Sequence, residues 1–260
     1  PRPWLILNNG SDGTATDMWV QSGAAALRRG YNVLIFDGPG QGAALYRQGL
    51  FFRPDWEKVI TPVVDYLLTR TDVDPDRIAL QGVSQAGYWV PRAVAFEHRI
   101  AAAVADPGVM RVVDSWTQGM PPGELEQYWA ATGADLEEAK KEIDAAVDEI
   151  AAKSPEFAFN IAYRTRPYGT SSYAEALLLL KDYTLEGITD QITCPMLITD
   201  PEGESFWPGQ SQELYDALPG PKTLATFTAA QGADLHCEPK ANGLRSQVIF
   251  DWLDETLGVG

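Results

Sequence analysis

The chain has 260 residues, 45% of them apolar, enough for one large α/β domain or two small ones with a real core. It carries 36 acidic residues against 20 Lys and Arg, a formal net charge of −16. That acidity argues against nucleic acid and anionic membranes as partners, since both select basic patches, and no apolar run is long enough to span a bilayer.

The chain opens Pro1-Arg2-Pro3-Trp4, with neither an initiator methionine nor a signal-peptide pattern, so an upstream segment is expected to be missing. Residues 4–8 read as a short apolar strand. The loop after it, Asn8-Asn9-Gly10-Ser11-Asp12-Gly13-Thr14, is rich in glycine and small polar residues, as a close backbone approach requires. Residues 16–29 read as a helix ended by Gly30, and 31–36 as a strand. The turn Asp37-Gly38-Pro39-Gly40-Gln41-Gly42 follows; it lacks the lysine of a phosphate loop and reads as structural. A helix is expected over 54–69, then a turn over 72–77.

Arg77-Ile78-Ala79-Leu80-Gln81 reads as a buried strand, Gly82-Val83-Ser84-Gln85-Ala86-Gly87 as a sharp turn, and residues 88–96 as a helix. Strand, turn and helix with serine at the apex make a nucleophile elbow, whose strained backbone needs small residues at Ser−2 and Ser+2, here Gly82 and Ala86. An ordinary serine N-cap would not require the preceding glycine. A strand is expected over 101–105, another over 195–199, a last one over 223–228, and a closing helix over 244–257. Short apolar strands separated by helices imply a mostly parallel sheet covered on both faces.

Residues 111–191 break this rhythm and read as a helical insertion, with helices over 124–131, 135–153 and 173–182. The expected organisation is a core of residues 1–110 and 192–260 with a helical cap of 111–191 over the carboxyl edge of the sheet. Among eight of the insertion's aromatics, Trp116, Tyr163 and Tyr168 are the substrate-pocket candidates, with at most half of the eight facing substrate.

A serine nucleophile needs an imidazole base, and there are two histidines. His98 ends the helix that the elbow begins, about 20 Å from the serine at 1.5 Å per residue. His236, in a loop after the last strand, sits where the order Ser…acid…His expects the base. The acid is left among Glu204, Asp200, Glu202 and Asp106; Glu204, four residues before Pro208, fits best. The oxyanion hole needs two backbone N–H groups, one from Gln85 and one from Ser11 or Asp12. Neither the isolated Cys194 and Cys237 nor the scarce histidines give a metal site or a disulfide framework, so no metal or cofactor is expected and a reduced, cytoplasmic protein is. The expected partner is a small-molecule substrate; a homodimer is compatible with the abundant Trp and Tyr.

On the elbow, the Asp-Gly-Pro-Gly-Gln-Gly turn of residues 37–42, Val73-Asp74-Pro75-Asp76-Arg77-Ile78-Ala79-Leu80, and Gly232-Ala233 with His236-Cys237, the chain resembles the α/β-hydrolases. More narrowly, it resembles the group of 2,6-dihydroxypseudooxynicotine hydrolase and the fungal hydrolases that shorten polyketide pigments. The resemblance covers most of the chain. It implies a helical N-terminal region ahead of the core, with this chain beginning at the third strand of the full fold. It also implies hydrolysis of a carbon–carbon bond next to a ketone in aromatic or polyketide metabolism, with Asp106 or Asp114 as candidates to assist protonation. The same Ser-His-acid set serves an esterase or amidase, and a non-catalytic ligand-binding member is a third reading.

Overall fold

The computed structural model describes residues 2–259. Six strands, β1 (Arg2–Asn8), β2 (Asn32–Phe36), β3 (Val73–Val83), β4 (Ala102–Asp106), β5 (Met196–Pro201) and β6 (Lys222–Phe227), form one sheet in the order β2-β1-β3-β4-β5-β6, every neighbouring pair parallel. Alternate residues feed two cores, as the two-residue period of a strand demands. Trp4, Ile6, Ile78, Leu80, Ala103 and Ala105 pack on one face, and Leu5, Leu7, Ala79, Ala102 and Val104 on the other. Each fully buried large aliphatic side chain contributes roughly 1.5–3 kcal/mol.

The helices are α1 (Ala15–Met18), α2 (Ala24–Arg28), α3 (Gly42–Gln48), α4 (Glu57–Leu68), α5 (Ala86–Val94), α6 (Glu124–Ala130), α7 (Gly133–Lys153), α8 (Pro155–Thr165), α9 (Tyr173–Leu180), α10 (Gln210–Ala217) and α11 (Asn242–Leu257). Ile60, Val64 and Leu67 of α4 and Trp89 and Val90 of α5 cover the first face, while Ile249, Phe250 and Leu253 of α11 cover the second. Trp56 and Trp89 stack with ring centroids 4.3 Å apart. No helix among the described residues is long and apolar enough to cross a membrane.

Several boundaries differ from the sequence reading. The expected helix over 16–29 is interrupted by one π-helical stretch, Trp19–Gly23, between α1 and α2. The expected turn over 72–77 lies within β3: Arg2 pairs with Val73 and Trp4 with Ile78, so the segment between bulges from the ladder while strand pairing continues on both sides. Three helices were not anticipated, namely α3, α8 and α10. Between β4 and β5 lie α6 to α9; α7 buries none of its residues and packs against α8 and α9.

The strand order reverses between β1 and β3, so the loops after these two strands diverge and leave a crevice at the carboxyl edge. The register sets Asn8 opposite Gly82. That pairing brings the loop after β1 alongside the turn after β3.

Candidate active site

Ser84 follows β3 and precedes α5 with φ of 60°, a conformation that costs a non-glycine residue about 1–3 kcal/mol. Tertiary contacts hold it there. The Ser84 N–H donates to the Asp106 carbonyl at 2.6 Å, and the Gly87 N–H donates to the Ser84 carbonyl at 2.7 Å. A Cβ on Gly82 would lie 2.6 Å from the Ala86 carbonyl oxygen, and one on Gly87 would lie 1.8 Å from the Pro107 carbonyl oxygen. Strand, helix and the loop after β4 thus meet where only glycine fits.

His236 lies in the loop after β6. Its Nε2 is 2.9 Å from Ser84 Oγ and its Nδ1 is 2.6 Å from Glu204 Oε2. Glu204 Oε1 accepts the N–H groups of Phe206, at 2.7 Å, and Trp207, at 3.2 Å. Burial pushes the Glu204 carboxyl up, but the hydrogen bond and charge of His236 and the two backbone donors outweigh it and hold the group below its usual range. The carboxylate therefore favours a proton on Nδ1, leaving Nε2 free to accept from the serine. The rings of Phe206 and Trp207 lie 4.7 and 5.8 Å from the imidazole.

Ser84 and His236 open into a cavity of about 540 Å³ at the sheet's switch point. No protein-family model matches the chain. The hydrolase LUC6 of Fusarium sp. is 30% identical over 271 residues, 99% of this chain and 62% of that protein. The α/β hydrolase psoB of Aspergillus fumigatus is 32% identical over 283 residues, 99% of this chain and 60% of that one. The 20-hydroxy-prefusarin hydrolase FUS2 of Gibberella moniliformis is 27% identical, with shares of 99% and 62%. The chain thus spans about three fifths of the length of these relatives. Among solved structures, 2,6-dihydroxy-pseudo-oxynicotine hydrolase superposes with a TM-score of 0.71 at 22% identity, over 99% of this chain and 61% of that one. GrgF from Penicillium sp. sh18 superposes with a TM-score of 0.68 at 17% identity, over 98% and 90%.

The chain has the α/β-hydrolase fold.

Within this hydrolase fold the other candidate acids lie elsewhere. Glu202 accepts the Ala229 N–H at 2.9 Å. Asp200, at the end of β5, is pushed up by burial and by the charge of Glu204, and no hydrogen bond joins it to the imidazole. Asp106 is fully buried, accepts the Thr199 hydroxyl at 2.8 Å and faces Arg245 at 3.5 Å. Asp114 accepts from Gln210 at 2.7 Å and pairs with Arg111 at 3.2 Å. Neither Asp106 nor Asp114 lines the cavity. His98 is exposed and away from it.

Gly10, Ser11, Asp12 and Gln85 all line the cavity. A Cβ on Gly10 would lie 2.9 Å from Ser84 Cβ, so the loop after β1 rests directly against the serine. Among the described residues, the N–H groups of Gln85, Ser11 and Asp12 donate to no protein acceptor. The turn at residues 37–42 explains how this loop is held. The amide nitrogen of buried Gln41 donates to the carbonyls of Asn9 and Gly10, both at 2.7 Å, while its oxygen accepts the Gly38 N–H at 2.9 Å. Sequence reading saw a structural turn but not this clamp; a lone amide side chain among three glycines and a proline was the available signal.

Trp116, Tyr163 and Tyr168 line the cavity. The Tyr163 hydroxyl donates to the Asp12 carbonyl at 3.0 Å, and that of Tyr168 donates to Gln85 Oε1 at 3.1 Å. Burial raises the Tyr168 phenol, so it stays a neutral donor. The other five of those eight do not line it; Tyr128 donates to the Ala174 carbonyl, Trp129 to that of Leu177 and Tyr173 to that of Trp116, and Phe159 stacks on Tyr163. Lining residues that sequence reading missed are Asn9, Phe52, Asn160, Arg164, Phe206 and Trp207. The start of α8 was readable: Ser154 caps it by accepting the Phe157 N–H at 3.2 Å, and Pro155 stands at its first position.

Proposed function

We propose that the protein is a serine hydrolase of an apolar carbonyl substrate, cleaving a carbon–carbon bond next to a ketone. The observation that carries the hydrolase reading is the unbroken row from Ser84 Oγ through His236 to Glu204, at 2.9 and 2.6 Å, with its serine end on the cavity. In this reading Ser84 Oγ adds to the ketone carbon as His236 Nε2 takes its proton. The oxyanion is held by the N–H of Gln85 and that of Ser11 or Asp12. The tetrahedral adduct then expels a stabilised carbanion, which takes the imidazolium proton, and an acyl-serine remains. Water adds to the acyl group with His236 again as base, releasing a carboxylic acid and restoring the serine. Overall, ketone and water give a carboxylic acid and a new C–H bond. The helices between β4 and β5 act as a cap, and Trp116 and Tyr168 present apolar surface to the substrate.

Support for carbon–carbon cleavage over ester cleavage comes from the resemblance to 2,6-dihydroxy-pseudo-oxynicotine hydrolase and to fungal hydrolases such as 20-hydroxy-prefusarin hydrolase. The test is product analysis by mass spectrometry on an aryl 1,3-diketone and the matching aryl ester. Acid and ketone from the diketone, at a rate well above ester cleavage, supports the reading. Fast ester cleavage with an inert diketone makes the protein an esterase. Ser84→Ala is expected to abolish turnover of either while the fold survives.

A further inference from the structure

Apart from Arg164, the described arginines are paired with carboxylates, exposed, or both; Arg29, Arg70 and Arg99 are both. Those withdrawn from solvent pair with carboxylates: Arg53 with Asp55, Arg77 with Asp74, Arg92 with Glu57, Arg111 with Glu213 and Arg245 with Asp106. Those without a carboxylate partner, such as Arg28, Arg47 and Arg166, are exposed. Arg164 is neither paired with a carboxylate nor exposed. It is half-buried on α8, lines the cavity that holds Ser84, and among the described residues has no carboxylate within ion-pair distance. Its protein contacts are neutral. One terminal nitrogen reaches the Ser115 carbonyl at 3.2 Å and the Ser115 hydroxyl at 3.3 Å, and the guanidinium lies 4.3 Å from the centroid of the Trp116 ring.

A guanidinium carries five N–H donors in a planar fork, and one nitrogen suffices for Ser115. Desolvation of an unpaired cation is costly, and burial accordingly lowers the Arg164 pKa. A chain with 16 more negative than positive charges has ample carboxylates to offset that cost, yet among the described residues none, not even Asp12 on the same lining, forms an ion pair with Arg164. The guanidinium sits over the Trp116 ring, and both side chains belong to the cavity lining. Two further buried donors on the lining, Asn9 Nδ2 and Gln85 Nε2, also lack an acceptor.

We propose that Arg164 is the anchor for an anionic group on the substrate, so that the preferred substrate is an apolar ketone that also bears a carboxylate. One unpaired positive charge matches a monoanion, and a carboxylate offers two coplanar oxygens to the fork. This rests on the cavity being the substrate site of the hydrolase reading above, but it is testable without turnover.

The probe is 4-oxo-4-phenylbutanoate, compared with its neutral amide of the same shape. Binding is measured by titration calorimetry on full-length Ser84→Ala at low salt. The carboxylate is expected to bind roughly 10–100-fold tighter than the amide, the range of a charge-assisted hydrogen bond. Added salt should shrink the preference only weakly, since the site is partly desolvated. Arg164→Met should abolish the preference and Arg164→Lys should keep part of it, each variant being checked by its melting curve. The same comparison on Ser84→Ala with Arg164 intact needs no variant of Arg164, so a misfolded Arg164→Met leaves the inference open to refutation. Equal binding of acid and amide, or a preference that survives Arg164→Met, overturns it. Because Ser84→Ala carries no nucleophile, anion preference with inert Ser84 chemistry would sink the hydrolase reading alone, and ester or diketone turnover without anion preference would sink this inference alone.

Discussion

Glu204→Gln isolates the interaction that orients the imidazole. Glu204 Oε1 accepts two backbone N–H groups, and Oε2 meets His236 Nδ1 at 2.6 Å. A glutamine in the same rotamer keeps the backbone donors on its carbonyl oxygen and turns its NH₂ toward the ring. Nδ1 must then accept, so the neutral ring carries its proton on Nε2, the atom 2.9 Å from Ser84 Oγ. A protonated Nε2 cannot take the serine proton. The wrong tautomer costs a triad about 10⁴ in kcat, and that corresponds to about 5.5 kcal/mol. KM should move little, since the buried carboxylate does not line the cavity. Stability should fall by about 1–2 kcal/mol as a charge-assisted bond is lost. The assay is kcat and KM on an aryl ester or diketone over pH 5 to 9, with a melting curve for the fold. A fall of less than about tenfold in a folded variant would refute the role of Glu204. Asp200→Asn is the control and should leave kcat nearly intact.

The stability difference between the parent and Glu204→Gln also depends on pH. Glu204 is held below its usual range, so its contribution is present above the unfolded pKa and lost as pH falls through the folded one; denaturant curves should converge below about pH 4. Glu238 has the opposite sign. Burial first, and the Asp106 charge second, push its carboxyl up to about 11. The folded state then holds a proton that the unfolded state has lost, so stability falls as pH rises from the usual carboxylate range toward that value. Glu238→Gln should therefore gain on the parent in melting temperature between pH 5 and 9; parallel curves would refute this. Gly87→Ala places a Cβ 1.8 Å from the Pro107 carbonyl oxygen and should cost about 3 kcal/mol or more, read by denaturant unfolding. Gln41→Ala removes the clamp on Asn9 and Gly10 and should cost about 2–3 kcal/mol in stability, with a larger loss in kcat than in KM. Retention of both would mean that the loop after β1 holds its shape unaided.

What was legible in the sequence is what depends on neighbours along the chain. The turn at Ser84 is one: Gly82, Ser84 and Gly87 lie within six residues, and the strain at Ser84 is a local backbone property. The alternation of apolar strands with helices is another, and it implied the parallel sheet. His236 emerged by elimination, because the chain has two histidines and α5 carries the other away. Tertiary structure decided the rest. Asp200, Glu202 and Glu204 sit within five residues of one another; the path of one loop turns Glu204 inward to His236 and Glu202 outward to the Ala229 N–H. The Gln41 clamp bridges some thirty residues, as the separation between Gln41 and Gly10 shows. The environment of Arg164 could not be read from its neighbours, since an arginine on a helix is ordinarily solvated. Only the packing of α8 over Trp116 withdraws it from water, and an absent partner is a property of space rather than of sequence.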